Sequence, residues 1–364
     1  MINTSLPKKR VAVAMSGGVD SSVAAASLLA QGYEVIGLTM RLWSGGEGAR
    51  GRRTCCASED LYDARRVAQT LNIPFFVVDL EAQFRAAVVA DFVETYAAGR
   101  TPNPCIRCNQ HLKFQHLLHK AQELQAEFLA TGHYALWREG VQGPQLWRGA
   151  DRLKDQSYFL FTITPEQLRY LRFPLGEMRK EETRLLAERF GLHLARKGES
   201  QDLCFVPDGD NAAFLAREGA ALFRPGPIVD LAGRLLGRHA GLGGYTIGQR
   251  RGLGIAAAHP LYVVAIETAG NRLVVGPEEA LWQQRLRVGE INWLGDSPLT
   301  APQRIQARIR YAAEPQPGLL QPLGGGEADL LFDAPQRAIA PGQAAVFYEG
   351  ERVLGGGWIR GGSL

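Results

Sequence analysis

Residues 15–24 read MSGGVDSSVA and stand between an apolar run at 11–14 and a stretch with helical patterning. Gly17 and Gly18 let backbone N–H groups turn toward an anion, while Ser16, Ser21 and Ser22 add hydroxyl donors. A helix beginning near Ser21 would add unpaired amides and the positive end of its dipole. Such a loop cradles pyrophosphate. It is not the loop of kinase-like NTPases, because no Gly-Lys-Ser/Thr closes it and no lysine lies within it to reach a terminal phosphate. Asp20 is suited to a different task, holding a magnesium ion beside the phosphates.

Cysteines form the second group. In TPNPCIRCN, residues 101–109, two prolines predict an extended segment up to the cysteines, with a helix from about Gln110. Cys108 would then sit at a helix start, where unpaired amides and Arg107 favour thiolate over thiol. Cys105 and Cys108 have C-x-x-C spacing, but no second pair exists to close a four-cysteine zinc site. Cys204, in GESQDLCFV, reads alone as a structural cysteine, and the polar run at 199–202 argues instead for an exposed loop. Cys55 and Cys56 lie in an arginine-flanked insertion and read as bystanders. Five cysteines, an odd number, argue for thiol or metal chemistry over a disulfide framework.

The elements that must position these groups alternate along the first two hundred residues. Helices are predicted at 21–31, 58–71, 84–98 and 113–124, and strands at 35–40, 75–78 and 128–131. That is the pattern of an α/β doubly wound parallel sheet. Ligands sit beyond the carboxyl ends of such strands, which brings Met40, Gly132 and His133 toward the nucleotide. From about Asp210, glycine, proline and β-branched residues predominate. They predict a small β-rich central domain ending near Pro277 and a C-terminal β-barrel from about Leu286, with residues 315–326 as an exposed loop. The expected domains are 1–209, 210–280 and 281–364. Arg250, Arg251, Arg304, Arg308 and Arg310 read as phosphate contacts on the β modules. Alternation in IQARIRY puts Arg308 and Arg310 opposite Ile305, Ala307 and Ile309, and leaves Tyr311 to stack on a base.

The 364 residues, 46% hydrophobic and 21% charged, describe an ordinary soluble protein with ample core. No targeting segment or membrane span is read, so the expected location is cytoplasmic. A net charge of +4 is compatible with a nucleic-acid partner without requiring one.

The SGGxDS turn resembles the pyrophosphate (PP) loop of the N-type ATP pyrophosphatases, which have an adenine nucleotide alpha hydrolase-like fold. A wider set of motifs resembles the bacterial tRNA-specific 2-thiouridylases: SGGVDSSVAA, GLTMRLW, AGRTPNPCIRCN, ATGHYA, LKDQSYFL, SQDLCFV, GYTIGQRRGLGI, RIRY and PGQAAVFY, in that order over nearly the whole chain. The resemblance implies ATP binding by Ala14, Met15, Ser16, Gly17, Gly18, Val19, Asp20, Ser21, Met40 and Gly132. It implies Cys108 as nucleophile and Cys204 as persulfide carrier. Asn103, Pro104 and Cys105 would meet the target base, and His133, Lys154, Asp155, Gln156, Arg310, Tyr311 and Gln343 would contact tRNA. The implied substrates are tRNAs of the Lys, Glu and Gln type, and the implied sulfur source is a cysteine desulfurase or a sulfur-relay protein.

A uridine C2 carbonyl is a poor electrophile, so adenylating its oxygen with release of pyrophosphate turns that oxygen into departing AMP. Sulfur must then arrive as a strong nucleophile. Some family members carry Asp where this chain has Cys105. That substitution favours a 4Fe-4S cluster held by Cys105, Cys108 and Cys204 that binds sulfide on its fourth iron, with a persulfide relay as the other scheme. Outside thiolation, the alternatives are an ammonia-dependent synthetase built on the same loop and a noncatalytic tRNA-binding protein.

Overall fold

The computed structural model describes residues 8–43, 58–198, 203–206, 209–219 and 224–362. Cys55 and Cys56 lie outside the described residues. The chain divides into two compact units, each discontinuous in sequence. The first comprises Met1–Ala87, Cys105–Asp208 and Glu351–Val353, the second Val88–Pro104, Gly209–Gly350 and Leu354–Leu364.

The first unit is built on β1 (Arg10–Ala14), α1 (Val19–Ala30), β2 (Glu34–Arg41), α2 (Ser58–Thr70) and β3 (Phe75–Asp79). It continues through α3 (Glu81–Phe84) and into a wide π-helical stretch, Arg85–Val89; α4 (Ala90–Ala97), which follows directly, belongs to the second unit. After α5 (Pro104–Arg107) a second π stretch, Cys108–Leu117, leads into α6 (Leu118–Glu123) and β4 (Leu129–Thr131). Then come a hairpin of β5 (Ala135–Gly140) and β6 (Gly143–Arg148), α7 (Pro165–Arg169), the short β7 (Leu171–Arg172) and α8 (Lys180–Arg189). The sheet order is β3-β2-β1-β4-β7, with every neighbouring pair parallel. This is the doubly wound α/β sheet. Strand β1 sits at its centre, and Val11, Ala12 and Val13 are fully buried there because helices must cover both faces of a parallel sheet. The alanine-rich face of α1, Val23 to Ala26, packs into the same core and lets helix and sheet approach closely.

The second unit holds α9 (Asn211–Glu218) and a four-stranded sheet of order β10-β11-β8-β9, made from β8 (Gly226–Val229), β9 (Leu235–His239), β10 (Tyr262–Glu267) and β11 (Arg272–Gly276). Its core is small, gathered around Ile228, Leu242, Leu253, Val263, Leu273 and Val275. A six-stranded barrel follows, formed by β12 (Trp282–Trp293), β13 (Gln303–Arg308), β14 (Gln316–Gly324), β15 (Glu327–Arg337), β16 (Ala344–Glu349) and β17 (Arg352–Gly362). Pairing of β12 with β17 closes it and leaves no sheet edge there.

Two expectations change. Residues 315–326 are not an exposed loop: most of them form β14, paired on both sides, with Gly318 and Leu320 buried. Pro322 is accommodated where the register shifts, and Gly324, Gly325 and Gly326 turn the hairpin at positive φ. The segment at 101–109 is not extended up to its cysteines either. Helix α5 begins at Pro104, since proline is pre-organised for the first helical position and lacks only an N–H that the helix would leave unpaired there.

Replacing Leu38, fully buried in β2, with alanine should lower stability by about 2–5 kcal/mol. The measurement is the shift of the first urea transition followed by circular dichroism.

Candidate active site

The site begins with the junction of β1 and α1. Gly18 is the N-cap of α1 with extended backbone and no side-chain cap, so the first amides of the helix stay available to an anion. The helix opens at Val19, two residues earlier than expected, and this places Asp20 and Ser21 within its first turn. Ser21 Oγ accepts from the Ser16 amide at 3.1 Å and donates to the Gly18 carbonyl at 3.2 Å; Ser22 Oγ donates to the same carbonyl at 2.8 Å. These serines therefore shape the loop from inside. Ser16 is exposed, as a phosphate donor must be.

Two glycines are demanded by close approach. Gly17 has φ +73°, and a Cβ there would lie 2.2 Å from the Asp60 carbonyl oxygen in the first turn of α2. A Cβ on Gly132 would lie 2.6 Å from the Ser21 amide nitrogen. The loop after β4 is thus pressed against the start of α1, which brings Gly132 to Ala14–Ser21. Met40 is half-buried near the end of β2. Met15 contributes through its backbone, its amide donating to the Leu38 carbonyl at 2.7 Å, while its side chain is core.

Asp20 carries the main electrostatic feature. Lys180, buried at the start of α8, donates to both of its oxygens at 2.7 and 2.8 Å. The Tyr134 hydroxyl lies 2.9 Å from Asp20 Oδ1 and 2.9 Å from Thr183 Oγ1. A lysine absent from the loop sequence is thus delivered to it from 160 residues away. Magnesium needs one carboxylate and phosphate oxygens. Asp20 has the donor chemistry for that need, and in this structure both of its oxygens are engaged by the Lys180 ammonium.

Gln156 pins Tyr134: its Oε1 accepts from the Tyr134 amide at 3.0 Å and its own amide donates to the Tyr134 carbonyl at 2.8 Å. Lys154 is half-buried. Asp155, expected at tRNA, faces inward and is 1% exposed. Its carboxylate accepts from the amides of Gly149 and Ser157, the Ser157 hydroxyl and Arg148 Nε. A carboxylate with four internal donors holds its own loop together; it does not reach out to RNA. The His133 ring lies between Phe114 and Phe173 and shares a 2.7 Å hydrogen bond with Thr131 Oγ1. Burial, with the Lys113 ammonium adding to it, pushes its imidazole well below the usual 6.5, so it is neutral at pH 7.

Cys105 is exposed, and Cys108 and Cys204 are half-buried. Because α5 starts at Pro104, Cys105 occupies the first helical turn, whereas Cys108 opens the π stretch one turn further on. The dipole effect fades beyond the first turn, so it favours a thiolate at Cys105 more than at Cys108. Among the described residues no group of three or more His, Cys, Asp or Glu side chains is gathered as a metal would require. In this geometry the three thiols are not gathered as ligands of one cluster would be, so the persulfide relay is the scheme taken up below.

Within the second unit, Gln343 Nε2 donates to the carbonyls of Thr101 (3.2 Å) and Pro102 (2.9 Å), and the Thr101 amide donates to the Pro341 carbonyl. The PGQ turn thus holds the segment leading to Asn103 and Pro104. Arg310 Nη2 donates to the Ala338 carbonyl at 2.7 Å, and Tyr311 is partly exposed. Arg308 is 4% exposed and donates to the Tyr311 carbonyl, so it is no phosphate contact. The alternation ends because β13 ends at Arg308. Arg304 is exposed but paired with Asp333.

Lys180, Tyr134, Thr183 and Lys197 went unnoticed in the sequence. Lys180, Thr183 and Lys197 lie in no motif and Tyr134 was passed over inside ATGHYA; only proximity in space connects them with the loop.

Removing the hydroxyl with Tyr134→Phe should weaken ATP·Mg binding about tenfold, the effect of one hydrogen bond to a charged group, measured by calorimetry. His133 gives a pH signature. Its folded value is depressed, so the unfolded chain takes up the proton first as pH falls; stability is complete above 6.5 and declines below it. The decline should approach about 1.4 kcal/mol per pH unit, and His133→Gln should remove that part of the slope in urea titrations.

Residues 9–208 match the family model described as tRNA methyl transferase HUP domain, 212–277 the tRNA methyl transferase PRC-barrel domain, and 283–359 the aminomethyltransferase beta-barrel domain. The tRNA-specific 2-thiouridylase MnmA of Magnetococcus marinus is 62% identical over 353 residues, 96% of this chain and 99% of that protein. The same-named protein of Paramagnetospirillum magneticum is 53% identical over 356 residues, 96% and 95% of the two chains. That of Geobacter metallireducens is 51% identical over 362 residues, 98% of each. A solved 4-thiouridine synthetase–RNA complex with bound ATP aligns with 58% of this chain and 50% of that one at 16% identity and TM-score 0.37, too low to bear on function. With identity above half over nearly the full length of these relatives, this chain belongs to the tRNA-specific 2-thiouridylase family.

Proposed function

We propose that this protein is an ATP-dependent tRNA-uridine 2-sulfurtransferase acting in the cytoplasm on the wobble uridine, position 34, of tRNAs of the Lys, Glu and Gln type. One observation carries the reading: a pyrophosphate cradle belongs to the same compact unit as Cys108 and Cys204, in a chain of the thiouridylase family. The domains 1–209, 210–280 and 281–364 are the pyrophosphatase domain, the β-rich central domain and the tRNA-binding barrel, a division supported by the matched residues of the three family models.

In this reading Ala14, Met15, Ser16, Gly17, Gly18, Val19, Asp20, Ser21, Met40 and Gly132 bind ATP, with the uncapped amides of α1 on the phosphates. Magnesium, held by Asp20, would supply charge neutralisation on those phosphates. The uridine O2 attacks the α-phosphorus and pyrophosphate departs. The terminal sulfur of a Cys204 persulfide, loaded by a cysteine desulfurase or sulfur-relay protein, then attacks C2, and AMP leaves with the original oxygen. The base is now joined to Cys204 through a disulfide. The Cys108 thiolate attacks the Cys204 sulfur, giving 2-thiouridine and a Cys108–Cys204 disulfide that an external dithiol reduces by two electrons. Asn103, Pro104 and Cys105 meet the base. For tRNA contact this reading takes His133 and Lys154 in the first unit and Arg310 and Tyr311 in the second, while Gln156 and Gln343 act through Tyr134 and the 101–102 segment.

Unmodified tRNA should yield 2-thiouridine, read by nucleoside mass spectrometry, with iron-free protein, ATP, magnesium and a desulfurase. Cys108→Ala and Cys204→Ala should each lower product about 100-fold or more while pyrophosphate release persists. Absence of product from the unaltered protein overturns the function, and product formed only after iron–sulfur reconstitution overturns the persulfide route.

A further inference from the structure

The motif GYTIGQRRGLGI, residues 244–255, serves neither the cradle nor the thiols. Its Thr246 instead meets the chain leaving α4. That helix ends in left-handed Gly99: the Gly99 amide donates to the Tyr96 carbonyl at 2.9 Å and the Arg100 amide to that of Thr95 at 3.0 Å, which fixes the backbone as far as Arg100. A Cβ on Gly99 would lie 2.9 Å from Thr268 Cγ2 and 3.1 Å from the Ile266 carbonyl oxygen, so the helix end is pressed against the end of β10. Beyond it come Thr101, Pro102, Asn103 and Pro104. The two prolines lack an N–H, so this stretch cannot be held by a ladder of backbone bonds.

Thr101 is the anchor, and its amide, carbonyl and hydroxyl are all engaged. The amide donates to the Pro341 carbonyl at 2.8 Å and the carbonyl accepts from Gln343 Nε2 at 3.2 Å, both in one turn of the barrel. The hydroxyl lies 3.3 Å from Thr246 Oγ1. Contacts from one turn leave a segment able to pivot about them, and a third contact from another element removes that freedom. Thr246 can serve as a fixed point because its own turn is braced. Its amide donates to Gln249 Oε1 at 3.1 Å, the Gln249 amide to the Thr246 carbonyl at 3.0 Å, and the Gly248 amide to the carbonyl of Val263 in β10 at 2.8 Å. A hydroxyl has one proton and two lone pairs, so Thr246 can bond a second neighbour, the buried Tyr96 phenol of α4.

We propose that Thr246 is a positioning residue for the sulfur-transfer reaction, setting the pose of Asn103 and Pro104 through the Thr101 hydroxyl. Only Pro102 separates Thr101 from Asn103. It is buried, its ring fixes φ, and its carbonyl accepts from Gln343 Nε2 at 2.9 Å, so the placement of Thr101 is passed on. Most of the affinity for a tRNA comes from its phosphates, away from the target base. Loss of the hydroxyl pair therefore leaves tRNA bound and lets the base-contacting residues leave the productive geometry, an effect on kcat and not on KM. This deepens the proposed function and rests on it for the base contact of Asn103 and Pro104, but the hold on Thr101 can be measured without tRNA.

The experiment compares the full chain with Thr246→Val, which keeps the side-chain shape and removes the hydroxyl, and with Thr246→Ser, which keeps the hydroxyl. Hydrogen exchange read by mass spectrometry on peptides spanning residues 98–104 should quicken about fivefold in Thr246→Val, the worth of one neutral hydrogen bond, with β10 and β11 unchanged. In 2-thiouridine formation kcat should fall about tenfold while KM for tRNA stays within about threefold, and Thr246→Ser should restore both measurements. Thr101→Val removes the other half of the pair; it should match Thr246→Val, stands in for it if that variant fails to fold, and in the double variant should add nothing. Unchanged exchange at 98–104 overturns the inference, as does a loosened segment with unchanged kcat, a rise in KM alone, or a serine variant that restores nothing. A segment loosened by valine and restored by serine, in a protein whose unaltered form makes no 2-thiouridine, would instead overturn the functional reading and leave the hold on Thr101 standing.

Discussion

The first turn of α1 has no side-chain cap. Uncapped amides cost stability wherever water cannot reach them, so a fold that leaves them open must arrange an opening and keep other groups from filling it. Around this turn the arrangement is visible in backbone contacts. Gly17 admits the first turn of α2, and Gly132 brings the loop after β4 against Asp20 and Ser21. A side chain at either position would move the wall of the cradle. The serines that sequence reading assigned to the anion are in part its framework, and this frees the amides for the ligand.

Charge is arranged on the same principle. Asp20 would repel phosphate by itself, but Lys180 neutralises it and the Tyr134 hydroxyl orients it. Tyr134 is fixed by Gln156, and the neighbouring Asp155 closes its loop around Arg148 and Ser157. Asp155 and Gln156 thus brace the segment that carries the Tyr134 hydroxyl to Asp20. Lys197 performs the analogous service on the other side of the loop, with Asp60 and Asp63 as its partners. Both lysines are partly or wholly buried and both are paired. Their worth is geometric, because a buried ion pair returns little net stability once desolvation is counted.

The thiols show how local geometry redirects a chemical reading. Pro104 starts a helix instead of preventing one, so Cys105 takes the position at the dipole end and Cys108 opens the π stretch. In the barrel, β13 ends at Arg308, which turns that arginine inward and leaves Arg310 and Tyr311 beyond the strand.

The chain's own sequence determined the elements whose signal is local. The apolar runs of β1 and β2, the glycine-serine turn between strand and helix, the alternation of α and β, and the change of composition near Asp210 each follow from the side chains of consecutive residues. The thiols were legible for the same reason, as chemistry at short spacing. Tertiary structure alone decided which distant groups complete the site. Lys180, Tyr134 and Lys197 reach the loop through folding of segments more than a hundred residues away, and no pattern of neighbours encodes that meeting. It also decided burial, which turned Asp155 and Arg308 from ligands into supports, and pairing on both sides, which made a strand of the proline-rich run at 316–324. Propensity is a property of neighbours along the chain, whereas desolvation and charge pairing are properties of neighbours in space.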